Sequence, residues 1–261
     1  TQGDHMIEAS YVIKSGTETK MHLPNRRFHA ASIIKPIMID TFLKINPNSW
    51  HRNINIRNDH YSWGSGILND AREIRQISMK DAAYLTIAVS DNTASNIFID
   101  QFGTRPENSN VAISQAMHDH GYVNTDVRAW YGGSHRRQDT ENFLTVSEDL
   151  FSFDCAGVTS ASDVLKAVES LYMDEKTRTM FEQCQDLRGL KKDGALPEGF
   201  VAGQKTGYVD GVRHIAGWIR KADSFDNPVF VVILTDCDSE TGRENWGYID
   251  RFVQQAVNKW L

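Results

Sequence analysis

The chain of 261 residues contains little cysteine and no long apolar run, and each shortage excludes a class of protein. Its three cysteines, Cys155, Cys184 and Cys237, are odd in number and form no C-x-x-C pair, which argues against a disulfide scaffold. The longest clean apolar run, residues 229–234, is far shorter than the ~20 residues that span a bilayer. No repeat or linker divides the chain, so we predict one domain over residues 7–261.

Positive charge is also scarce, with 28 Lys+Arg against 34 Asp+Glu, a net charge of −6 and a pI near 5.8. Nucleic-acid and anionic-membrane binders normally carry a basic face, so we expect neither of these partners. We also expect a monomer. The chain shows no secretory leader, which predicts a cytoplasmic protein, or an extracellular or periplasmic one if a leader was removed. Residues 1–5 have the look of a tag remnant, with Met6 as the natural start.

The periodicity of apolar residues predicts strands at both ends of the chain and helices between them. This order predicts an α/β (α+β) fold. Because strands and helices do not alternate, a parallel Rossmann or TIM-barrel fold is disfavoured. One antiparallel sheet is flanked by helices and carries a helical lobe, with a cleft between sheet and lobe. The sheet part covers about 7–31 and 190–261, and the lobe about 32–189. The predicted elements are a hairpin (7–13 and 19–23), a mainly helical stretch (32–171), helices opened by Ser78-x-x-Asp81 and Thr145-x-x-Glu148, three strands (200–206, 212–220, 229–235) and a last helix (244–261).

The first candidate for chemistry is Ser32-Ile-Ile-Lys35-Pro36. Proline fits a helix only in its first turn, so Pro36 places the helix start close to Ser32, where the dipole favours developing negative charge. Lys35 follows by three residues, so its amine can approach the Ser32 oxygen, and a neutral lysine can act as a general base. Taken alone, the same residues are also consistent with a helix cap and a surface lysine.

Two further short motifs follow, Ser90-Asp91-Asn92 and Lys205-Thr206-Gly207. Each alone is weak, since the first is typical of a polar turn and the second of any strand end. In the order S-x-x-K, S-D-N, K-T-G, however, the three form the signature of penicillin-recognising serine acyl-enzymes.

The chain resembles the class A β-lactamases in more than these motifs. Residues 77–96, ISMKDAAYLTIAVSDNTASN, are similar to that family's central helix and following loop. Residues 194–199, GALPEG, are similar to its approach to the reactive edge strand. The resemblance covers about residues 7–261 and implies the fold shared by serine β-lactamases and D-Ala-D-Ala peptidases.

The resemblance also implies a role for each motif residue. Ser32 would be the nucleophile and Lys35 its proton acceptor, while Ser90 would relay the proton to the departing nitrogen. The backbone amides of Ser32 and Tyr208 would form an oxyanion hole, worth a factor of ~10²–10³ for one donor. Substrate contacts would come from Asn92, Lys205, Thr206, Gly207 and Arg213, the last as a second positive charge for a carboxylate. A salt-bridged strand residue is an equally good interpretation of Arg213.

The resemblance fails in the segment that supplies the deacylating base. Class A enzymes use a Glu in an E-x-x-L-N segment, and residues 123–145 contain no such sequence. The carboxylates of this stretch are Asp126, Asp139 and Glu141. Without a positioned base, acylation could outrun hydrolysis.

Three functions therefore stay open: a class A type β-lactamase acting through Ser32, a related acyl-hydrolase, transferase or D-Ala peptidase with slow release, and a binding module without turnover. The resemblance implies a small-molecule substrate, either a β-lactam or an acyl peptide or ester, and we expect no cofactor. A metalloenzyme is disfavoured, because His118-Asp119-His120 is the only close histidine pair and residues two apart on a helix face different sides. Gly64-Ser65-Gly66 lacks the G-K-[ST] ending of a phosphate-binding loop.

Overall fold

The computed structural model describes residues 6–135, 144–146, 157–238 and 243–261. The strands, in chain order, are β1 (Ile7–Ser15), β2 (Glu18–His22), β3 (Arg27–His29), β4 (Asn53–Asn55), β5 (Gln76–Ser78), β6 (Asp126–Val127), β7 (Gly157–Ser160), β8 (Phe200–Val209), β9 (Val212–Lys221) and β10 (Val229–Cys237). The helices are α1 (Lys35–Ile45), α2 (Met79–Ala88), α3 (Asn92–Asp100), α4 (Pro106–Asp119), α5 (Ala161–Tyr172), α6 (Glu175–Glu182) and α7 (Arg243–Trp260).

Strands from both ends of the chain form one five-stranded antiparallel sheet in the order β2-β1-β10-β9-β8. Tyr11 pairs with Ile233 and Thr206 with Ile215, so the N-terminal strand lies beside the last strand and K-T-G lies on the edge strand β8. The predicted antiparallel sheet is confirmed. Its C-terminal strands extend one to three residues beyond the predicted bounds, because pairing with the neighbouring strands continues there.

Two apolar layers cover the two faces of this sheet. On one face α7 packs Ile249, Val253 and Ala256 against sheet residues that include Ile233. On the other face Trp218 and neighbouring sheet residues join the larger core of the helical lobe. The predicted amphipathic last helix is therefore confirmed, and the sheet lies between two helical layers. None of the helices in the described ranges has the length and apolarity to cross a membrane.

The lobe differs from the all-helical prediction by two small sheets, β3-β7-β6 and β4-β5. Their strands have two to four residues, too few to show an alternating period in the sequence. The Ser78 hydroxyl accepts a hydrogen bond from the Asp81 amide at 3.0 Å, so the predicted cap of α2 is confirmed. The helix predicted after Thr145 falls largely on residues outside the described ranges.

Candidate active site

A cleft of about 530 Å³ lies between the edge strand β8 and the helical lobe. Ser32, Ser90, Lys205, Thr206 and Tyr208 line it, so the structure brings members of all three motifs to one cavity. Lys35 and Asn92 lie directly behind Ser90, and Gly207 backs onto the Ser32 turn. The remaining lining residues are Ser65, Ile87, Ala88, Val89, Cys184, Gln185, Asp186, Leu187 and Arg188.

Ser32 lies in a short 3-10 turn, Ala31–Ile34, that leads into α1. Pro36 is in the first turn of α1, as the sequence predicts, but the turn delays the α-helix to Lys35. Ala31 has a φ of +44°, unusual for a residue with a side chain, and its carbonyl accepts a hydrogen bond from the Tyr131 hydroxyl at 3.2 Å. A strained residue held by its neighbours therefore places Ser32 at the cleft.

Gly207 allows β8 to approach this turn. A Cβ at position 207 would lie 2.7 Å from the Ile33 nitrogen and 3.1 Å from the Ser32 nitrogen. Since real Cβ atoms need more room, only glycine fits without moving the strand or the turn. Gly207, the third residue of K-T-G, thus sets the width of the cleft beside Ser32.

His214 supports the same turn from inside the sheet, where it pairs with Gly207. Its Nε2 lies 2.8 Å from the His29 carbonyl, and its Nδ1 accepts from the Thr235 amide at 3.1 Å. Burial lowers the pKa of His214 to about 4, so the ring is neutral at pH 7. Its Nδ1 also lies 2.9 Å from the Arg213 carbonyl. A neutral ring can donate to one carbonyl and accept from one amide at the same time.

Lys35 is fully buried, and its Nζ contacts the S-D-N loop instead of Ser32. The amine lies 2.6 Å from the Ser90 carbonyl oxygen, 2.8 Å from Asn92 Oδ1 and 3.2 Å from Ser90 Oγ. Within the described residues, it makes no hydrogen bond to the Ser32 hydroxyl. The sequence argument assumed a regular helix from residue 33, whereas the 3-10 turn changes the angle between positions 32 and 35.

The surroundings of Lys35 favour its neutral form. Burial, and after it the charge of Lys205, hold the pKa of Lys35 well below its ordinary value of 10.5, against the opposing charge of Asp91. The Asp91 oxygens are already engaged by the amides of Ile67, Leu68 and Ala94, at 2.7 to 2.9 Å. A neutral amine has two hydrogens for the two carbonyl-type oxygens and a lone pair for a hydroxyl proton.

Ser90 stands at the sharp junction between α2 and α3, with a φ of +56°. Its Oγ lies 3.2 Å from the Lys35 amine and accepts a hydrogen bond from Lys205 Nζ at 2.9 Å. Asn92 is oriented by its own amide, which donates to the Trp63 carbonyl at 2.9 Å and so turns Oδ1 towards Lys35. One hydroxyl therefore connects two buried amines.

Lys205 is 1% exposed and also donates to the Thr206 carbonyl. Burial lowers its pKa to about 8, with the thiol of Cys184 and the carboxylate of Asp186 acting in the opposite direction. Lys205 is therefore mostly cationic at pH 7. Since its proton is directed at Ser90 Oγ, the Ser90 hydroxyl hydrogen is free to point to Lys35.

At the other end of the cleft, an ion pair lies beside Thr206. The Thr206 hydroxyl donates to Asp186 Oδ2 at 2.7 Å, and Arg188 donates from two guanidinium nitrogens to the two carboxylate oxygens, each at 2.8 Å. The guanidinium lies over the rings of Tyr208 and Trp246, 4.6 and 4.8 Å from their centroids. The sequence analysis missed this pair, because residues 183–188 carry no motif and no period.

Arg213 is placed apart from the cleft lining. It pairs with Tyr208 across the β8–β9 hairpin, and its guanidinium donates to the carbonyls of Val209 and Val212 at 2.5 and 2.6 Å. Arg188, not Arg213, is the arginine that lines the cavity. The substrate contact predicted for Arg213 stays a prediction.

A further residue that the sequence analysis missed is Tyr131, whose ring centroid lies 4.4 Å from Lys35 Nζ. In the sequence, Tyr131 follows Trp130 and precedes two glycines. An aromatic residue beside a pair of glycines was the signal that could have identified it as a site residue. The face of an aromatic ring attracts a cation, so Tyr131 offers Lys35 a favourable contact when the amine is protonated.

Of the carboxylates in residues 123–145, Asp126 lies within the described residues. It is buried in β6, accepts a hydrogen bond from the Leu144 amide at 2.8 Å and lies 3.2 Å from His118 Nε2. These contacts hold the end of the segment in place, and Asp126 is absent from the cleft lining. Asp139 and Glu141 lie outside the described ranges.

The comparisons with known proteins agree with this architecture. A model of the beta-lactamase enzyme family matches residues 8–260. No curated protein matches the chain in sequence.

Solved structures share the fold. A β-lactamase from Sphaerobacter thermophilus is 22% identical, with 97% of this chain and 90% of that chain covered and a TM-score of 0.70. PBP-A is 19% identical, with 99% and 92% covered and a TM-score of 0.72. A class A β-lactamase from Mycobacterium abscessus is 16% identical, with 97% and 93% covered and a TM-score of 0.70. The family match over nearly the whole chain establishes that the protein belongs to the beta-lactamase enzyme family and is a β-lactamase-like serine hydrolase.

Proposed function

We propose that the protein opens β-lactam rings by transferring their acyl group to Ser32. The observation that carries the proposal is the chain of contacts Lys35–Ser90–Lys205, which lies behind the same cleft that Ser32 lines. Two desolvated amines around one hydroxyl have no evident structural purpose, since buried lysines without an ion pair are costly. For proton transfer they are well suited, because burial brings their pKa values towards neutrality.

The first proton transfer, from Ser32 to Lys35, is the one that the family resemblance implies, and the later transfers use these contacts. Neutral Lys35 takes the Ser32 hydroxyl proton as the oxygen attacks the lactam carbonyl carbon, and the backbone amides of Ser32 and Tyr208 hold the oxyanion. When the carbon–nitrogen bond breaks, Ser90 gives its hydroxyl proton to the departing nitrogen. The Lys35 ammonium then returns a proton to Ser90 across 3.2 Å, which leaves an ester on Ser32 and neutral Lys35. Lys205 keeps Ser90 oriented throughout.

A second candidate function, acylation with slow release, is favoured by the departure from E-x-x-L-N. Asp126 is engaged in fixing Leu144 and His118, so it is a poor candidate for activating water. For the competing lactamase function, Glu141 is the better candidate for the base that activates water, since it stands three residues before Leu144 in the sequence Glu-x-x-Leu-Thr. Thr145 takes the place of the family's asparagine, and its carbonyl accepts from Arg27 Nε at 2.6 Å.

The test is the intact mass of the protein, followed over time after mixing with benzylpenicillin. We expect a mass increase of one penicillin on Ser32, lost in Ser32→Ala and kept in Ser170→Ala, an exposed serine of α5 that serves as the control. A transient adduct means a lactamase, and a lasting one means slow release. An adduct that persists in Ser32→Ala would contradict the proposal.

Glu141→Gln separates the two candidate functions. If Glu141 activates the hydrolytic water, this variant should acylate at the wild-type rate and retain the adduct at least about 100-fold longer. Asp126→Asn is the control, and we expect it to affect the folding stability of the protein more than the lifetime of the adduct. Equal adduct lifetimes in the wild type and Glu141→Gln would favour the slow-release function.

A further inference from the structure

The hydrogen-bond donors at the Thr206 end of the cleft are already occupied by a carboxylate of the protein itself. Asp186 accepts from the Thr206 hydroxyl, from both Arg188 guanidinium nitrogens and from the Arg188 backbone amide at 3.1 Å. The resemblance to class A enzymes implies that Thr206 contacts a substrate carboxylate. Here Asp186 already fills that role.

This arrangement is held in place from several sides. The Asp186 side chain is 16% exposed, and its backbone carbonyl accepts a hydrogen bond from Gln204 Nε2 at 2.6 Å. The guanidinium of Arg188 is fixed over Tyr208 and Trp246. Burial opposes ionisation of Asp186, but the hydrogen bonds from Arg188 and Thr206 outweigh it and hold its pKa below the ordinary 3.8. A negative charge is therefore present at this end at neutral pH.

Two physical consequences follow for an incoming substrate. A substrate carboxylate beside Thr206 meets the Asp186 carboxylate at short range, in a partly desolvated cleft where repulsion is stronger than in water. Asp186 also offsets the charge of Arg188, so Lys205 is left as the lining cation that attracts the anion. The Thr206 hydroxyl and the two Arg188 N–H groups already donate to Asp186. The substrate carboxylate therefore gains fewer hydrogen bonds in the cleft than it gives up when it leaves water. An uncharged ester or amide at the same place escapes the repulsion.

We propose that Asp186 is a specificity-determining residue that makes the cleft favour acyl donors without a carboxylate at the Thr206 end over their anionic analogues. This inference rests on the proposed function, since it concerns the substrate of the same serine. It names the substrate class as uncharged acyl compounds, with free carboxylates as the disfavoured class.

A matched pair of probes tests the inference: benzylpenicillin and its methyl ester, which differ only in the charge of the carboxylate. The measured quantity is the second-order rate constant for acylation of Ser32, divided by the rate of alkaline ring opening of the same probe. In the wild type we expect the normalised constant for the ester to equal or exceed that for the acid. In Asp186→Asn, which removes the charge and keeps the size, we expect the acid to gain about tenfold and the ester to stay within about twofold.

Asp193→Asn is the control, since Asp193 is exposed on the segment that follows Asp186. Asp186→Ser serves if Asp186→Asn does not fold, and the wild-type ratio needs no variant. A wild type that prefers the acid by tenfold or more overturns the inference, as does an equal effect of Asp186→Asn on both probes. The absence of a Ser32 adduct with both probes, in the wild type and the variant, overturns the proposed function and the inference with it.

Discussion

At one end of the cleft, Lys35 and Lys205 are buried without an ion pair to any described carboxylate, whereas at the other end Arg188 is paired with Asp186 through two hydrogen bonds. The pKa values of the two lysines are lowered by burial, and the pKa of Arg188 is raised by its partner. The unpaired amines can exchange protons near neutral pH, while the paired guanidinium stays charged. Under the proposed function, this difference separates the groups that transfer protons or orient the hydroxyl from the pair that determines substrate specificity.

The largest effect is expected at the unpaired end, in Lys35→Met. Loss of the general base should lower the acylation rate constant by about 10³-fold, within the usual range for acid–base catalysis. Stability should change little, because relief from lysine desolvation offsets the lost partners of the Ser90 carbonyl and Asn92. The thermal midpoint should stay within about 4 °C, which corresponds to ~1 kcal/mol for a chain of this size.

Lys80→Met is the matched control, since Lys80 is exposed on α2. Stopped-flow or mass-spectrometric acylation rates decide the outcome. A loss of less than about tenfold in Lys35→Met would mean that another group takes the serine proton.

Gly207→Ala should have the next largest effect, because its Cβ would collide with the Ile33 nitrogen. The displaced strand would move Tyr208 and Lys205 relative to Ser32, and misplacement by about 1 Å costs roughly 100-fold in rate. The control is Gly247→Ala on α7, where the nearest atom to the new Cβ lies 3.9 Å away. Wild-type acylation in Gly207→Ala would show that the close approach is not needed.

Much of the fold follows from the sequence because it depends on long periodic segments. The strands β8 to β10 are nine or ten residues long and are separated by Asp210-Gly211 and Asp226-Asn227-Pro228 turns. Short elements such as β6 carry no such signal, since two residues cannot define a period. Tertiary pairing alone makes them strands.

The candidate site also contains residues that the sequence predicts and residues that it does not. The three motifs gave Ser32, Ser90 and Lys205 as neighbours, and the structure brings them to one cleft. The direction of the Lys35 amine was not predictable, because it depends on a 3-10 turn and on the φ of Ser90. The roles of Asp186 and Arg188 could not be predicted from the sequence, since their pairing is created by the packing of a loop against β8.

The pH dependence of acylation should show a smaller effect. Lys205 is cationic below its pKa of about 8 and loses its charge above it, so it then no longer orients Ser90 or attracts an anion. We expect the acylation rate constant to rise with pH as Lys35 loses its proton, and then to fall by about tenfold by pH 9.5. A profile that stays level from pH 7.5 to 9.5 would contradict the role of Lys205.

The smallest effect is expected for Arg57, a second paired arginine that is not among the residues lining the cleft. Arg57 donates to Asp100 at 2.6 and 2.9 Å, but its side chain is 43% exposed. Arg57→Gln should cost about 1 kcal/mol or less of unfolding free energy, measured in urea, with acylation within about twofold of the wild type. A larger loss of acylation than of stability would place Arg57 among the functional groups.

The most direct test of the account measures the protonation of Lys35 itself. Nuclear magnetic resonance of ¹⁵N,¹³C-lysine-labelled protein can follow the side chain as pH changes, with Lys35→Met to assign its signal. We predict a pKa for Lys35 well below 10.5 that rises in Lys205→Met, because the neighbouring charge is gone, and stays below 10.5, because burial remains. A Lys35 that titrates near 10.5 in the wild type, or is unmoved by Lys205→Met, would contradict the account.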